Sequence, residues 1–129
     1  MQANANAPGH SRRVMVVDDH VVSGDLLREI LSTEGYAVRV ALCGRDAVAM
    51  AREFKPDVAL LDVGLPDMTG FALARLLKAD PQLQQIRLVA LSGYAQSADA
   101  ERSRLKGFDH YLVKPVDVEQ LLSVLQSLA

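Results

Sequence analysis

The chain has 129 residues, a little under the roughly 150 of a typical domain, which excludes a two-domain enzyme. Hydrophobic residues make up 50% and charged residues 23%, the composition of a folded globular domain and not of a disordered tail. Fourteen basic against sixteen acidic side chains leave a net charge of -2, without the basic excess of a nucleic-acid binder, and the single cysteine, Cys43, excludes an internal disulfide.

Residues 1–12 are polar and aperiodic, rich in Ala, Asn, Gly and Pro, and read as a disordered tail or linker ahead of one domain over 13–129. The longest apolar run is the five residues Ala47 to Ala51, far short of the roughly 20 of a membrane helix. No signal-peptide apolar core is visible at the N-terminus, so the cytoplasm is the expected compartment and no membrane is expected as a partner.

From Val14 onward, short apolar runs alternate with segments whose apolar residues recur three or four apart, the signature of buried parallel strands alternating with amphipathic helices. The runs Val14 to Val17, Tyr36 to Leu42, Val58 to Leu61, Ile86 to Leu91 and His110 to Val113 predict five strands. Helical stripes follow at Leu26, Leu27, Ile30 and Leu31, at Ala47, Val48, Ala51 and Phe54, at Phe71, Ala74 and Leu77, and at Val118, Leu121, Leu122, Leu125 and Leu128. Between the third and last of these, Gln96 to Leu105 predicts a weakly anchored fourth helix whose only large apolar residue is Leu105. Five βα units with right-handed crossovers point to a flavodoxin-like doubly wound α/β fold, its parallel sheet in the order 2-1-3-4-5. In that order ligands bind where the C-terminal ends of strands 1 and 3 meet.

Strand 1 runs into Asp18-Asp19 and strand 3 into Asp62, so three carboxylates should converge at that edge. Two unit charges about 5 Å apart repel by roughly 3 kcal/mol at an effective dielectric near 20, and three such pairs cost on the order of 10 kcal/mol. A cation is therefore expected, and an oxygen-only set suits Mg²⁺. Taken alone, Asp19 could instead cap the helix that follows. Strand 4 delivers Ser92 and strand 5 delivers Lys114 to the same edge. A carboxylate nucleophile, a metal, a hydroxyl donor and an ammonium together form the set that phosphoryl transfer to a carboxylate requires.

These segments, Val16-Val17-Asp18-Asp19, Leu60-Leu61-Asp62, Gly64 to Gly70, Ala90-Leu91-Ser92-Gly93 and Tyr111 to Pro115, resemble the response regulator receiver domain of two-component and phosphorelay signalling, over Arg13 to Leu128. The resemblance implies that Asp62 accepts a phosphoryl group from the phosphohistidine of a histidine kinase or phosphotransfer protein. It implies that Asp18, Asp19, Asp62 and the Gly64 carbonyl hold Mg²⁺, Asp18 acting through a coordinated water. Lys114 and Ser92 would contact phosphoryl oxygens, Ser92 standing where the family more often has Thr, and Lys114-Pro115 would be a cis peptide. Tyr111 would be an aromatic switch, altering the surface of helix 4, strand 5 and helix 5 for a downstream partner, with the chain a monomer or weak dimer. Gly64 and Tyr94 occupy positions that in this family govern the lifetime of the phosphoryl group. The segment Leu88 to Gln96 and the ending Leu112 to Asp117 look like receivers of hybrid sensor kinases, although a stand-alone regulator fits equally.

The resemblance describes a regulatory phosphoacceptor and not an enzyme acting on other substrates. Two alternatives are a pseudo-receiver that binds partners without phosphorylation and a Mg²⁺ phosphatase similar to the haloacid dehalogenases. The phosphatase family carries its nucleophile in an Asp-x-Asp motif, whereas the strand-1 acids here are adjacent. His20 follows the acidic pair and reads chiefly as a polar first-turn residue, and His110 and Cys43 carry no chemistry.

Overall fold

The computed structural model describes residues 12–93 and 107–128. The predicted tail up to residue 11, Tyr94 and the predicted fourth helix over Gln96 to Leu105 lie outside the described residues. Five strands, β1 (Arg13–Val17), β2 (Ala37–Ala41), β3 (Val58–Asp62), β4 (Arg87–Ser92) and β5 (His110–Val113), alternate with helices α1 (Val21–Thr33), α2 (Gly44–Phe54) and α3 (Gly70–Ala79), and α4 (Val118–Ser127) follows β5. The sheet is parallel, in the order β2-β1-β3-β4-β5, as the alternation of runs and stripes predicts.

Successive strand residues point to opposite faces, and both faces are buried, which is why the strands read as continuous apolar runs. Met15, Val17, Ala59, Leu61 and Leu88 pack on one side with Ala47 and Ala51 of α2 and Leu73, Ala74 and Leu77 of α3. Val14, Val16, Leu60, Val89, Leu91 and Leu112 pack on the other with Leu27 and Leu31 of α1 and Leu121, Val124 and Leu125 of α4. No described helix is long and apolar enough to cross a membrane.

Three details differ from the simplest reading of the sequence. Leu26, counted in the buried stripe of α1, is 55% exposed, because Gly24, Leu27 and Leu31 already cover the sheet at helical spacing. Asp19 does not cap α1: the N-cap is His20, with no side-chain capping bond, and Asp18 Oδ1 accepts the His20 amide at 2.9 Å. Arg12, assigned to the tail, donates from its guanidinium to the carbonyls of Leu125 (2.9 Å) and Leu128 (3.3 Å), tying the residue ahead of β1 to the end of α4.

Candidate functional site

Parallel register brings the C-terminal ends of the inner strands to one edge, Val17 beside Leu61, Asp62 beside Leu91 and Ser92 beside Val113. Backbone bonds extend the ladder one residue further, from the amides of Asp18 to Ala41 O (3.0 Å), Val63 to Leu91 O (3.0 Å) and Lys114 to Ser92 O (2.7 Å). The strand-end side chains are thus held by the sheet, on a rigid frame and not on a free loop. Lys114-Pro115 is cis.

Lys114 Nζ lies 3.1 Å from Asp62 Oδ2 and 3.3 Å from Asp18 Oδ2. Asp18, Asp62 and Ser92 are buried, while Asp19 is exposed at the rim. Burial alone would lower the Lys114 pKa, but the hydrogen bond and charge of Asp62, then those of Asp18, outweigh it and hold the ammonium above the ordinary lysine range. Its folded pKa being raised, its contribution to stability is complete below the ordinary lysine value and is lost as pH rises through the raised one. Three carboxylates against one ammonium leave two uncompensated negative charges. Together with the hard oxygen donors, that charge matches a divalent cation such as Mg²⁺.

Removing the ammonium tests this electrostatic frame. Lys114→Met leaves Asp18 and Asp62 facing each other without a counter-charge. The expected loss is about 2 kcal/mol without divalent ions, below the roughly 3–5 kcal/mol of a fully buried pair because the lysine is partly exposed. Millimolar Mg²⁺ should recover most of it, as urea denaturation with and without the ion would show.

Asp62 Oδ1 accepts the amide of Gly64 at 3.0 Å, and Gly64 forms an antiparallel bridge with Thr69 that closes the loop from β3 to α3. The outer end of that loop is fixed by a contact the sequence analysis missed. Asp67 accepts the amides of Gly44 (2.8 Å) and Arg45 (2.9 Å) at the start of α2, one on each carboxylate oxygen. A Cβ at Gly44 would fall on the side chain of Met68, so glycine lets the loop lie against the helix. No local spacing announces a cap supplied from more than twenty residues away; Asp67 in a turn reads as an ordinary turn former.

The amides of Gly44 and then Arg45 hold the Asp67 pKa below the ordinary aspartate value of 3.8. A depressed folded value means that the stabilisation is present above the unfolded value and disappears as pH falls through the folded one. The stability difference between wild type and Asp67→Asn should therefore be constant above about pH 5 and shrink below it. Chemical denaturation across a pH series measures that difference.

Of the remaining predicted site residues, Gly64 is exposed, with room for a Cβ, and Tyr111 of β5, paired with Ala90 of β4, is 39% exposed. His20, read from sequence as a first-turn polar residue, lies beside the acids. Its Nδ1 is 3.3 Å from Asp18 Oδ1 and 3.3 Å from Asp19 Oδ1. Beside the acids, Ser23, Leu26, Leu27 and Ile30 of α1 face Pro115, Val116 and Val118 across a cleft of about 450 Å³.

The family pattern described as the response regulator receiver domain matches residues 14–126. The chain belongs to that family. It is 32% identical over 117 residues to the polar-differentiation response regulator DivK of Brucella ovis, covering 91% of this chain and 95% of that protein. The chemotaxis response regulator CheY4 of Vibrio cholerae superposes with a TM-score of 0.84 at 29% identity, over 92% of this chain and 99% of that one. The signal receiver domain of a signal transduction histidine kinase from Syntrophus aciditrophicus gives 0.82 at 31% identity, over 92% and 89%. This is a receiver domain of two-component signalling, a regulatory family, and the proteins it is similar to include both a response regulator that it covers almost throughout and the receiver domain of a histidine kinase.

Proposed function

We propose that this receiver is a phosphoacceptor whose nucleophile is Asp62. The observation that carries the reading is the convergence of Asp18, Asp19 and Asp62 with Lys114 at one sheet edge, the ammonium within 3.1 Å of an Asp62 oxygen. An Asp62 carboxylate oxygen attacks the phosphorus of a phosphohistidine, an O–P bond forms, and the P–N bond breaks with its electron pair leaving on the imidazole. Lys114 neutralises charge on the phosphoryl oxygens and Ser92 donates its hydroxyl to one of them.

Asp18, Asp19, Asp62 and the Gly64 carbonyl would hold Mg²⁺, which when bound supplies the remaining positive charge. The partner is a histidine kinase or histidine phosphotransfer protein, and the cleft between α1 and the segment after β5 offers it an apolar seat. Val21, Val22 and Leu26 beside that seat are exposed. Output passes through the surface around Tyr111 and β5 to a downstream protein.

Incubation with acetyl phosphate, followed by intact mass, tests the reading without a cognate kinase. One phosphoryl adduct is expected, dependent on Mg²⁺ and removed by hydroxylamine, as an acyl phosphate is. A protein that binds beryllofluoride yet takes no adduct, or an adduct stable to hydroxylamine, contradicts it. Failure with both reagents favours a receiver that binds partners without phosphorylation.

A further inference from the structure

We infer that His20 is a nitrogen ligand at the acidic edge, so that the site binds borderline divalent ions such as Co²⁺, Ni²⁺ or Zn²⁺ through an imidazole as well as carboxylates. The inference rests on the proposed reading of Asp18, Asp19 and Asp62 as the metal-holding set. Its starting point is what His20 does at the head of α1. An N-cap side chain ordinarily accepts an amide of the first turn. The imidazole makes no such bond, and Nδ1 instead lies 3.3 Å from one oxygen of each of Asp18 and Asp19.

The spacing suits coordination. One donor atom from each of Asp18, Asp19, His20 and Asp62 can be chosen so that all lie within 4.8 Å of one another. Around an ion with donors at about 2.1 Å, neighbouring octahedral donors are about 3.0 Å apart and opposite ones about 4.2 Å. The widest separation in the set, no more than 4.8 Å, exceeds the opposite-donor distance by at most about 0.6 Å. Lys114 approaches Asp18 at Oδ2 and His20 approaches it at Oδ1, so the ammonium and the imidazole do not compete for one oxygen. The ring is 71% exposed, and a neutral imidazole is able to offer an Nδ1 lone pair to a metal.

Donor chemistry then sets the preference. Mg²⁺ is satisfied by carboxylates, carbonyls and water, whereas imidazole favours the later first-row ions in the Irving–Williams order. His20 therefore raises affinity for Co²⁺ relative to Mg²⁺, which keeps a water where the ring would bind.

The test is an NMR titration of the full chain with Co²⁺ and with Mg²⁺, at one pH, for wild type, His20→Gln and Asp19→Asn. Loss of an outer-sphere partner alone typically costs about 10–100-fold in metal affinity, so the ratio of Co²⁺ to Mg²⁺ affinity should fall at least about tenfold in His20→Gln. Co²⁺-loaded wild type should also show a paramagnetically shifted imidazole N–H resonance that His20→Gln lacks, while Asp19→Asn weakens both ions. An unchanged ratio in His20→Gln, with Mg²⁺ still bound and no such resonance lost, overturns the role of His20 and leaves the acidic site standing. Failure of wild type to bind either ion overturns the acidic site itself, and the inference with it.

Discussion

Asp62→Ala should take up no phosphoryl group under conditions that fully modify the wild type, and should do so as a folded protein. Asp62 is the last residue of β3, buried and 3.1 Å from the only ammonium among the described site residues. Asp18 is also buried, but its Oδ1 accepts the His20 amide and meets the His20 ring while its Oδ2 meets Lys114, and Asp19 sits at the rim. Neither is placed to substitute as nucleophile. The variant loses the bond from the Gly64 amide and the contact with Lys114, and removes one carboxylate from a crowded negative cluster. Those losses oppose each other, so its thermal midpoint should stay close to that of the wild type. Intact mass and thermal unfolding on the same sample separate a lost nucleophile from a lost fold.

Gly70→Ala should be the most damaging glycine-to-alanine change among the described residues. Gly70 opens α3 directly against the end of β3, its amide donating to Val63 O at 2.8 Å. A Cβ there would stand 2.7 Å from the Asp62 carbonyl oxygen and 2.9 Å from Val63 Cα. Both obstacles are backbone, so either α3 or the strand end carrying Asp62 must move. The expected cost is about 3 kcal/mol, the upper part of the range for overpacking, even after the roughly 1 kcal/mol by which alanine favours a helix over glycine. Phosphorylation should slow as well, because the same shift displaces the nucleophile. Gly44→Ala is the control: its Cβ would meet Met68, a flexible side chain that can swing away, and the loss should stay near 1 kcal/mol. Urea denaturation of the two variants measures the contrast, and equal losses would show that backbone contact at Gly70 is not the cause.

The framework of this site is legible in the sequence because a parallel sheet turns sequence position into place. Each apolar run ends at one edge, so the residue after the run is located as soon as the run is recognised. Asp18, Asp62, Ser92 and Lys114 are all found in that way. What the chain order hides are the contacts made across it. The cap that Asp67 places on α2 and the fit of Met68 against Gly44 pair residues with no shared periodicity. The outward turn of Leu26 is hidden for a different reason: four apolar residues in a row of two pairs fit a helical stripe in more than one rotation, and the small Gly24 decides which face meets the sheet. The approach of the His20 ring to the acids is hidden as well, because its position implies only a helix start.

Locating the phosphoryl group decides whether Asp62 is the nucleophile. After reaction with acetyl phosphate and Mg²⁺, borohydride reduces an aspartyl phosphate to homoserine, and peptide mass spectrometry reads which aspartate has changed. Conversion is expected at Asp62 and at no other position. Conversion at Asp18 or Asp19, or an adduct retained on a serine or histidine with Asp62 intact, would contradict it.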